Sequence, residues 1–428
     1  MALGRLRRAA IAWAGVAAGA TAWAGTTTAF TFARQAYDGS NDRTVKVYVP
    51  DGLGAAAPMV MALHGCEETN DNVLRDWGLT AAADRFGFIL VAPFITRYDP
   101  IPPRNTNCWG FWIDAHRHQG AGEVEDLHRI AQQVEARWRI DPKRRYVTGL
   151  SSGGAMAVAM AVAHNEYWAA AASASGLPYG EASDAVSLSG SCPGRAQFHS
   201  VASVAGDMRR ERNSGYPIPL MVLQNQRDCT VLITAARNLR DAHLKVFGSA
   251  GHDTPATAQA SQSACAVFFG DALACEHTVY TASGAGSGRS VVETVFYDGP
   301  LATPDTSDKD HGHYWIGGEQ GRDGPYAVRR GPAYPELVWA FFSRQVHDEG
   351  IEPTPTQPPA AGCATRSDSP AGHVAAGRAS TGGWFSISAL SSGDRRPIGV
   401  WWDSWSRVSL REGPQGRWYF GAAPGCPA

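Results

Sequence analysis

"VTGLSSGGAM" (residues 147–156) places two serines, Ser151 and Ser152, between glycines. Gly149-Leu150-Ser151-Ser152-Gly153 is a G-x-S-x-G; centring it on Ser152 would need glycine at 150, where Leu150 stands. Such a nucleophile elbow turns sharply from strand to helix, and its crowding demands glycine on both sides. The apolar "RRYVTGL" (144–150) reads as the strand. "GGAMAVAMAVAH" (153–164), apolar on all sides, reads as a buried helix. The other reading is an ordinary strand-to-helix loop of small residues. The context makes Ser151 the candidate nucleophile.

Outward from this stretch, "PMVMALHG" (58–65), "FGFILVAP" (86–93), "AAAASASG" (169–176) and "PLMVLQN" (219–225) are continuously apolar. Such runs suit strands of a parallel sheet buried on both faces. Helical patterns lie between them. "GEVEDLHRIAQQVEARW" (122–138) puts Val124, Leu127, Ile130, Val134 and Trp138 on one face, with acids in its first turn. "PELVWAFFSRQV" (335–346) reads as a closing helix with proline at its start. Strands alternating with helices predict an α/β fold with a mainly parallel sheet.

The chain has 428 residues. Residues 1–24 read as a signal peptide: Arg5, Arg7 and Arg8, an apolar alanine-rich run, and an A-x-A site at Ala22-Trp23-Ala24. An uncleaved anchor is the other reading. Losing three arginines and no acid moves the formal charge from −2 to −5. That is not a nucleic-acid binder's balance. No apolar run of about 20 residues follows, so no membrane span is expected. Export to the cell exterior or periplasm, with eight cysteines, implies disulfides. The catalytic domain is expected over residues 25–348. A Pro-rich linker, "EGIEPTPTQPPAAG" (349–362), follows, and then a small β-rich module over 363–428. That module opens at Cys363 and ends near Cys426, a pair expected to staple it.

A serine needs a base, and the base needs a carboxylate. Behind an elbow these follow in the order acid, then histidine. Asp228 stands just past the apolar "PLMVLQN"; a turn or capping carboxylate is the alternative. His311 and His313 lie in "DKDHGHYWIGG", where a surface loop or an H-x-H metal pair is the alternative. "DAHRHQG" (114–120) is read as loop. The oxyanion donors are expected to be the backbone amides of Ser152 and Cys66, giving Ser152 a role independent of its hydroxyl. His64 is read as shaping the loop.

The motifs "LHGC", "NCWGFW" (107–112), "GLSSGG", "RDCTV", "GRSVVETVFYDG" (288–299) and "GHYWIGG" (312–318) resemble, in order, the extracellular poly(3-hydroxybutyrate) depolymerases and related secreted esterases, over about residues 30–346. The resemblance implies an α/β-hydrolase fold, with Ser151 as nucleophile, Asp228 as orienting acid and His313 as base. His313 is preferred to His311 because it occupies the H-x-W-x-G-G position. It also implies a Cys66–Cys108 disulfide, with Trp109 and Trp112 flanking the substrate. Trp315 is a further substrate-binding candidate. Cys192–Cys229 and Cys265–Cys275 are what remain, and that pairing stays open.

"CATRSDSPAGHVAAGRAS" (363–380) resembles the substrate-binding domain of these depolymerases, with His373 and Arg378 in matching places. Its middle, "VWWDSW" (400–405), departs from the pattern. Exposed aromatics would give flat apolar contacts to an insoluble polyester, although some must form the module's own core. The function implied is a secreted serine hydrolase of poly(3-hydroxybutyrate) or short-chain polyhydroxyalkanoates, working as a monomer with neither cofactor nor metal. A feruloyl or acetylxylan esterase, or a non-catalytic polymer-binding protein, are the alternatives.

Overall fold

The structure, a computed structural model, describes residues 25–347 and 363–426 apart from 55, 96–106, 188–191, 271–273, 283–289, 300–310, 383–386, 414–416, 422 and 424–425. The expected signal peptide (1–24) and linker (349–362) lie outside the described residues. The chain divides into two compact units, with the break after Val346.

The first unit is built on one sheet. Its elements run β1 (Thr26–Phe32), β2 (Arg43–Val49), β3 (Ala57–Leu63), α1 (Asn70–Asp76), α2 (Leu79–Phe86), β4 (Ile89–Pro93), α3 (Gly122–Arg137), β5 (Ile140–Leu150), α4 (Ser152–Ala163) and β6 (Ala170–Ala174). They continue as α5 (Val201–Glu211), β7 (Leu220–Asn225), α6 (Ile233–Phe247), β8 (Gln259–Ala264), β9 (Phe268–Phe269), β10 (Cys275–Thr281) and β11 (Val292–Tyr297). Three two-residue strands, β12 (Trp315–Ile316), β13 (Ala327–Val328) and β14 (Gly331–Pro332), precede α7 (Tyr334–Phe342).

The sheet order is β1-β2-β4-β3-β5-β6-β7-β11-β10-β8. Pairing is parallel from β4 through β11 and antiparallel at both flanks. The apolar runs form the parallel centre for the expected reason. Along β3, Met59, Met61 and Leu63 enter one core, and Val60 and Ala62 enter the other. Helices α3, α4, α5 and α6 cover the first face, while α1, α2 and α7 cover the second. Every residue of α4 is buried, as its all-apolar sequence requires. One boundary moves: Phe86 ends α2 rather than starting β4, because Gly87 caps that helix in the left-handed conformation at φ 73°.

The register aligns one edge of the sheet. Leu63 pairs with Gly149, Leu150 with Ala174, and Ala174 with Leu223. The turns after β3, β5 and β7 therefore share the strands' carboxyl edge, where open α/β sheets build their sites.

The second unit holds β15 (Thr365–Asp368), α8 (Pro370–Ala375), β16 (Ala379–Gly382), β17 (Ser388–Ser391), β18 (Pro397–Val400), β19 (Val408–Glu412) and β20 (Trp418–Tyr419). Two three-stranded sheets, β15-β19-β20 and β16-β17-β18, enclose a small core of Ala379, Ala389, Ile398 and Leu410. Disulfides join Cys66–Cys108, Cys192–Cys229, Cys265–Cys275 and Cys363–Cys426, so every cysteine is paired.

Candidate active site

Ser151 sits between β5 and α4 at φ 56° and ψ −121°, a conformation that costs a non-glycine residue about 1–3 kcal/mol. The neighbours hold it there. Its N–H donates to the Ala174 carbonyl at 2.9 Å, and its carbonyl accepts from Ala155 at 2.9 Å. A Cβ at Gly153 would collide with the Leu63 and His64 carbonyls, and one at Gly149 with the Gly153 backbone. Both flanking glycines are thus fixed by the approach of β5 and α4 to the turn after β3.

Asp228 lies in the turn after β7, buried. Its Oδ1 accepts from the Thr230 and Val231 amides, each at 2.9 Å. Its Oδ2 accepts from Gln224 Nε2 at 3.2 Å and faces His313 Nδ1 at 2.8 Å. His313 is itself buried. A carboxylate held by fixed donors against a δ nitrogen is the arrangement that orients an imidazole as a base. The histidine loop is tied to the carboxylate's turn: Cys229 N–H donates to the His311 carbonyl at 2.8 Å, and Asn225 Nδ2 donates to the Gly312 carbonyl at 2.9 Å. His311 therefore contributes its backbone to this anchorage. β5 and β7 are two strands apart, about 10 Å, a gap that an imidazole on the later loop can span.

On the other side of Ser151 runs the turn His64–Gly65–Cys66. Its disulfide partner Cys108 brings the "CWGFW" loop beside it. That loop is held by three contacts: Trp109 N–H donates to Ser152 Oγ at 3.3 Å, Trp109 Nε1 to the His64 carbonyl at 3.0 Å, and Gly110 N–H to Glu123 Oε2 at 2.7 Å. The Ser152 hydroxyl consequently has a structural partner, which its sequence context did not indicate. His64 is buried, with Nδ1 2.7 Å from the Gly65 carbonyl and Nε2 accepting from the Ile95 amide at 3.2 Å. Burial pulls its pKa down to about 4, so it is a neutral clamp on the loop.

Four of the expected substrate-binding side chains have other partners. Trp315 is wholly buried, stacks on Trp77 at 4.3 Å and donates to the Trp77 carbonyl at 2.9 Å. Trp109 is wholly buried as well. Neither ring has a face left for a ligand. Trp112 is half-buried against the core. In the second unit His373 is buried, with Nε2 2.8 Å from the Val408 carbonyl and Nδ1 accepting from Arg378 Nε at 2.9 Å. Arg378 continues to Asp368 at 2.7 Å. This pair ties α8 to β15 and β19; of the two expected substrate contacts, His373 is buried within the module and Arg378 stays partly exposed. Among the described residues of this unit, the large rings exposed to solvent are Trp401, Trp402, Trp405 and Phe420.

Sequence reasoning passed over Asn225, Gln224 and Glu68. Gln224 and Asn225 end the apolar strand β7 and Glu68 follows β3, and only those places could have flagged them. It also passed over His128, His164 and Glu166, whose ligand atoms lie within 4.8 Å of one another. The two imidazoles stack face to face at 3.9 Å and 2°, so one ion cannot lie in both ring planes. His164 instead bridges Glu125 at 3.4 Å and Glu166 at 3.0 Å, and these carboxylates raise its pKa to about 9.

The sequence profile of the esterase PHB depolymerase family matches residues 44–264, half of the chain and the part that carries the elbow and Asp228. The chain belongs to this family. Among the relatives of this chain, poly(3-hydroxyalkanoate) depolymerase C of Paucimonas lemoignei is 31% identical over 186 residues, covering 42% of each chain. Feruloyl esterase B of Neurospora crassa is 34% identical over 144 residues, 33% of this chain and 47% of that one. The chain thus spans under half the length of these curated relatives. An acetyl xylan esterase from Aspergillus awamori superposes with a TM-score of 0.50 at 17% identity, covering 74% of this chain and 99% of that one. The fold is that of the α/β-hydrolase esterases.

Proposed function

We propose that the protein is a secreted serine esterase that cleaves poly(3-hydroxybutyrate) or short-chain polyhydroxyalkanoates. The observation that carries this reading is the buried His313–Asp228 pair on the sheet edge that also presents the strained Ser151. Ser151 Oγ attacks the ester carbonyl while His313 takes its proton. The Ser152 and Cys66 amides receive the oxyanion. His313 then protonates the leaving alcohol, and water releases the acyl group by the reverse sequence, with Asp228 holding the imidazole throughout. No step calls on a metal or cofactor. Four disulfides suit the oxidising compartment reached through a cleaved leader at residues 1–24. Among the described residues no helix is long and apolar enough to cross a membrane. The protein is proposed to act as a monomer, its residues 349–362 linking the catalytic unit to a polymer-binding module.

The test is hydrolysis of p-nitrophenyl butyrate and clearing of a poly(3-hydroxybutyrate) suspension by the wild type and Ser151→Ala. Both activities should fall at least about a thousandfold in the variant; soluble-ester cleavage that survives the change overturns the nucleophile. The similarity to feruloyl esterase B supports a second reading, esters of plant-wall phenolic acids. Cleavage of methyl ferulate without clearing of the polymer would decide for it.

A further inference from the structure

Glu68 is a buried carboxylate with no part in the steps above, three residues beyond Gly65 and two beyond Cys66. Its Oε2 accepts from the Gly65 amide at 2.8 Å, and its Oε1 accepts from Trp77 Nε1 at 3.1 Å. Gly65 lies against the nucleophile: a Cβ placed on it would sit 3.5 Å from Ser151 Cβ. Trp77 stacks on Trp315, two residues past His313, and its carbonyl accepts from the Trp315 indole at 2.9 Å. One carboxylate therefore fastens the turn beside the nucleophile with one oxygen and, through Trp77, the histidine loop with the other.

We propose that Glu68 is a positioning residue of the esterase reaction, holding the oxyanion turn through Gly65 and the histidine loop through Trp77. This inference rests on the serine-esterase reading above. Two fixed N–H donors face its two oxygens, an arrangement that a carboxyl group satisfies at both ends, whereas an amide would turn its own N–H toward one of them. Burial, the largest influence, lifts the Glu68 pKa to about 7 and the nearby Asp76 adds to it, while the hydrogen bonds from Gly65 and Trp77 and the charge of His313 oppose the rise. His313 itself faces Asp228. As pH falls through about 7, Glu68 takes up a proton, and the oxygens that hold Gly65 and Trp77 lose the strength of charge-assisted acceptors.

The experiment is the pH profile of kcat/KM and kcat on p-nitrophenyl butyrate for wild type, Glu68→Gln and Glu68→Asp. In Glu68→Gln kcat should drop about tenfold at pH 8 with KM nearly unchanged, and the deficit should shrink below about pH 6, where Glu68 of the wild type is itself protonated. Glu68→Asp, which restores the carboxylate on a shorter arm, should recover part of kcat at pH 8 and keep a deficit that shrinks with falling pH. A purely structural glutamate would lower Tm and the yield of active enzyme and reduce the rate by the same factor at every pH, and that result overturns the proposal. Should Glu68→Gln fail to fold, Glu68→Asp alone decides: a kcat deficit at pH 8 that shrinks below about pH 6 supports the proposal, and a pH-independent deficit or wild-type kcat refutes it. Activity surviving in Ser151→Ala would instead sink the esterase reading itself.

Discussion

Ser152 carries two loads through different atoms. Its amide opens α4 beside the nucleophile, while its Oγ accepts the Trp109 amide at 3.3 Å. Ser152→Ala keeps the first and removes the second, leaving a buried N–H without that acceptor at a cost of about 1–3 kcal/mol. The variant should melt at a lower temperature yet keep p-nitrophenyl butyrate activity within about tenfold, since alanine retains the N–H proposed to receive the oxyanion. Ser151→Ala should do the reverse, lowering activity but not Tm. Thermal melts beside rate measurements check this, and matching activity losses in the two variants would mean that the elbow presents the other serine. The residues of this neighbourhood were unevenly legible. Glycine spacing singled out Ser151 because the crowding around it is local. Trp315 and His373 carried the right letters for contact with substrate, but burial is set by distant partners, Trp77 and Val408, which spacing does not reveal.

α6 meets the sheet through a titrating contact. His243 is buried on this helix, with Nε2 2.7 Å from the Ile218 carbonyl just ahead of β7. Burial lowers its pKa from 6.5 to about 4. The folded protein thus keeps it neutral while the unfolded chain takes up a proton between pH 6.5 and 4. The stability it contributes is complete above about pH 6.5 and is lost as pH falls toward 4. His64 behaves alike, whereas His164, raised to about 9, contributes below pH 6.5 and loses that contribution as pH rises through 9. His243→Gln preserves a donor for Ile218 and abolishes the titration. Between pH 6.5 and 4 its unfolding free energy should fall less steeply than that of the wild type, by up to about 1.4 kcal/mol per pH unit. Denaturant melts across that range measure it, and parallel slopes would refute it. The elements themselves were well marked in the chain. Continuous apolar runs specified the parallel strands because both faces are covered. The flanking strands β1, β8 and β10 went unread: β8 is exposed along its whole length and shows no apolar pattern to read.

At the scale of the molecule, the proposed function assigns the chemistry to the first unit and the attachment to the second. Among the described residues the second unit has a hydrophobic core of only four buried side chains, yet it leaves large rings outside. Trp401, Trp402 and Trp405 stand on one connection between β18 and β19, exposed by 42%, 49% and 82%. Single exposed aromatics are ordinary, but three on one turn form a patch that asks for a partner. The turn is shaped rather than loose: Asp403 Oδ1 accepts from the Trp405 and Ser406 amides at 2.9 and 3.1 Å, and the first two rings meet edge to face at 5.4 Å. Rings that face water contribute little to folding, so replacing all three by alanine should leave Tm and soluble-ester kcat/KM unchanged. A flat apolar polyester is a surface that such rings fit, and binding there raises the local concentration of the catalytic unit. The triple variant should therefore adsorb to poly(3-hydroxybutyrate) granules about tenfold less and clear a suspension correspondingly more slowly. Sedimentation of the granules with bound protein reads this directly. Undiminished adsorption would move polymer contact to another face of the protein, and a parallel loss of soluble-ester activity would show that the rings support the fold instead.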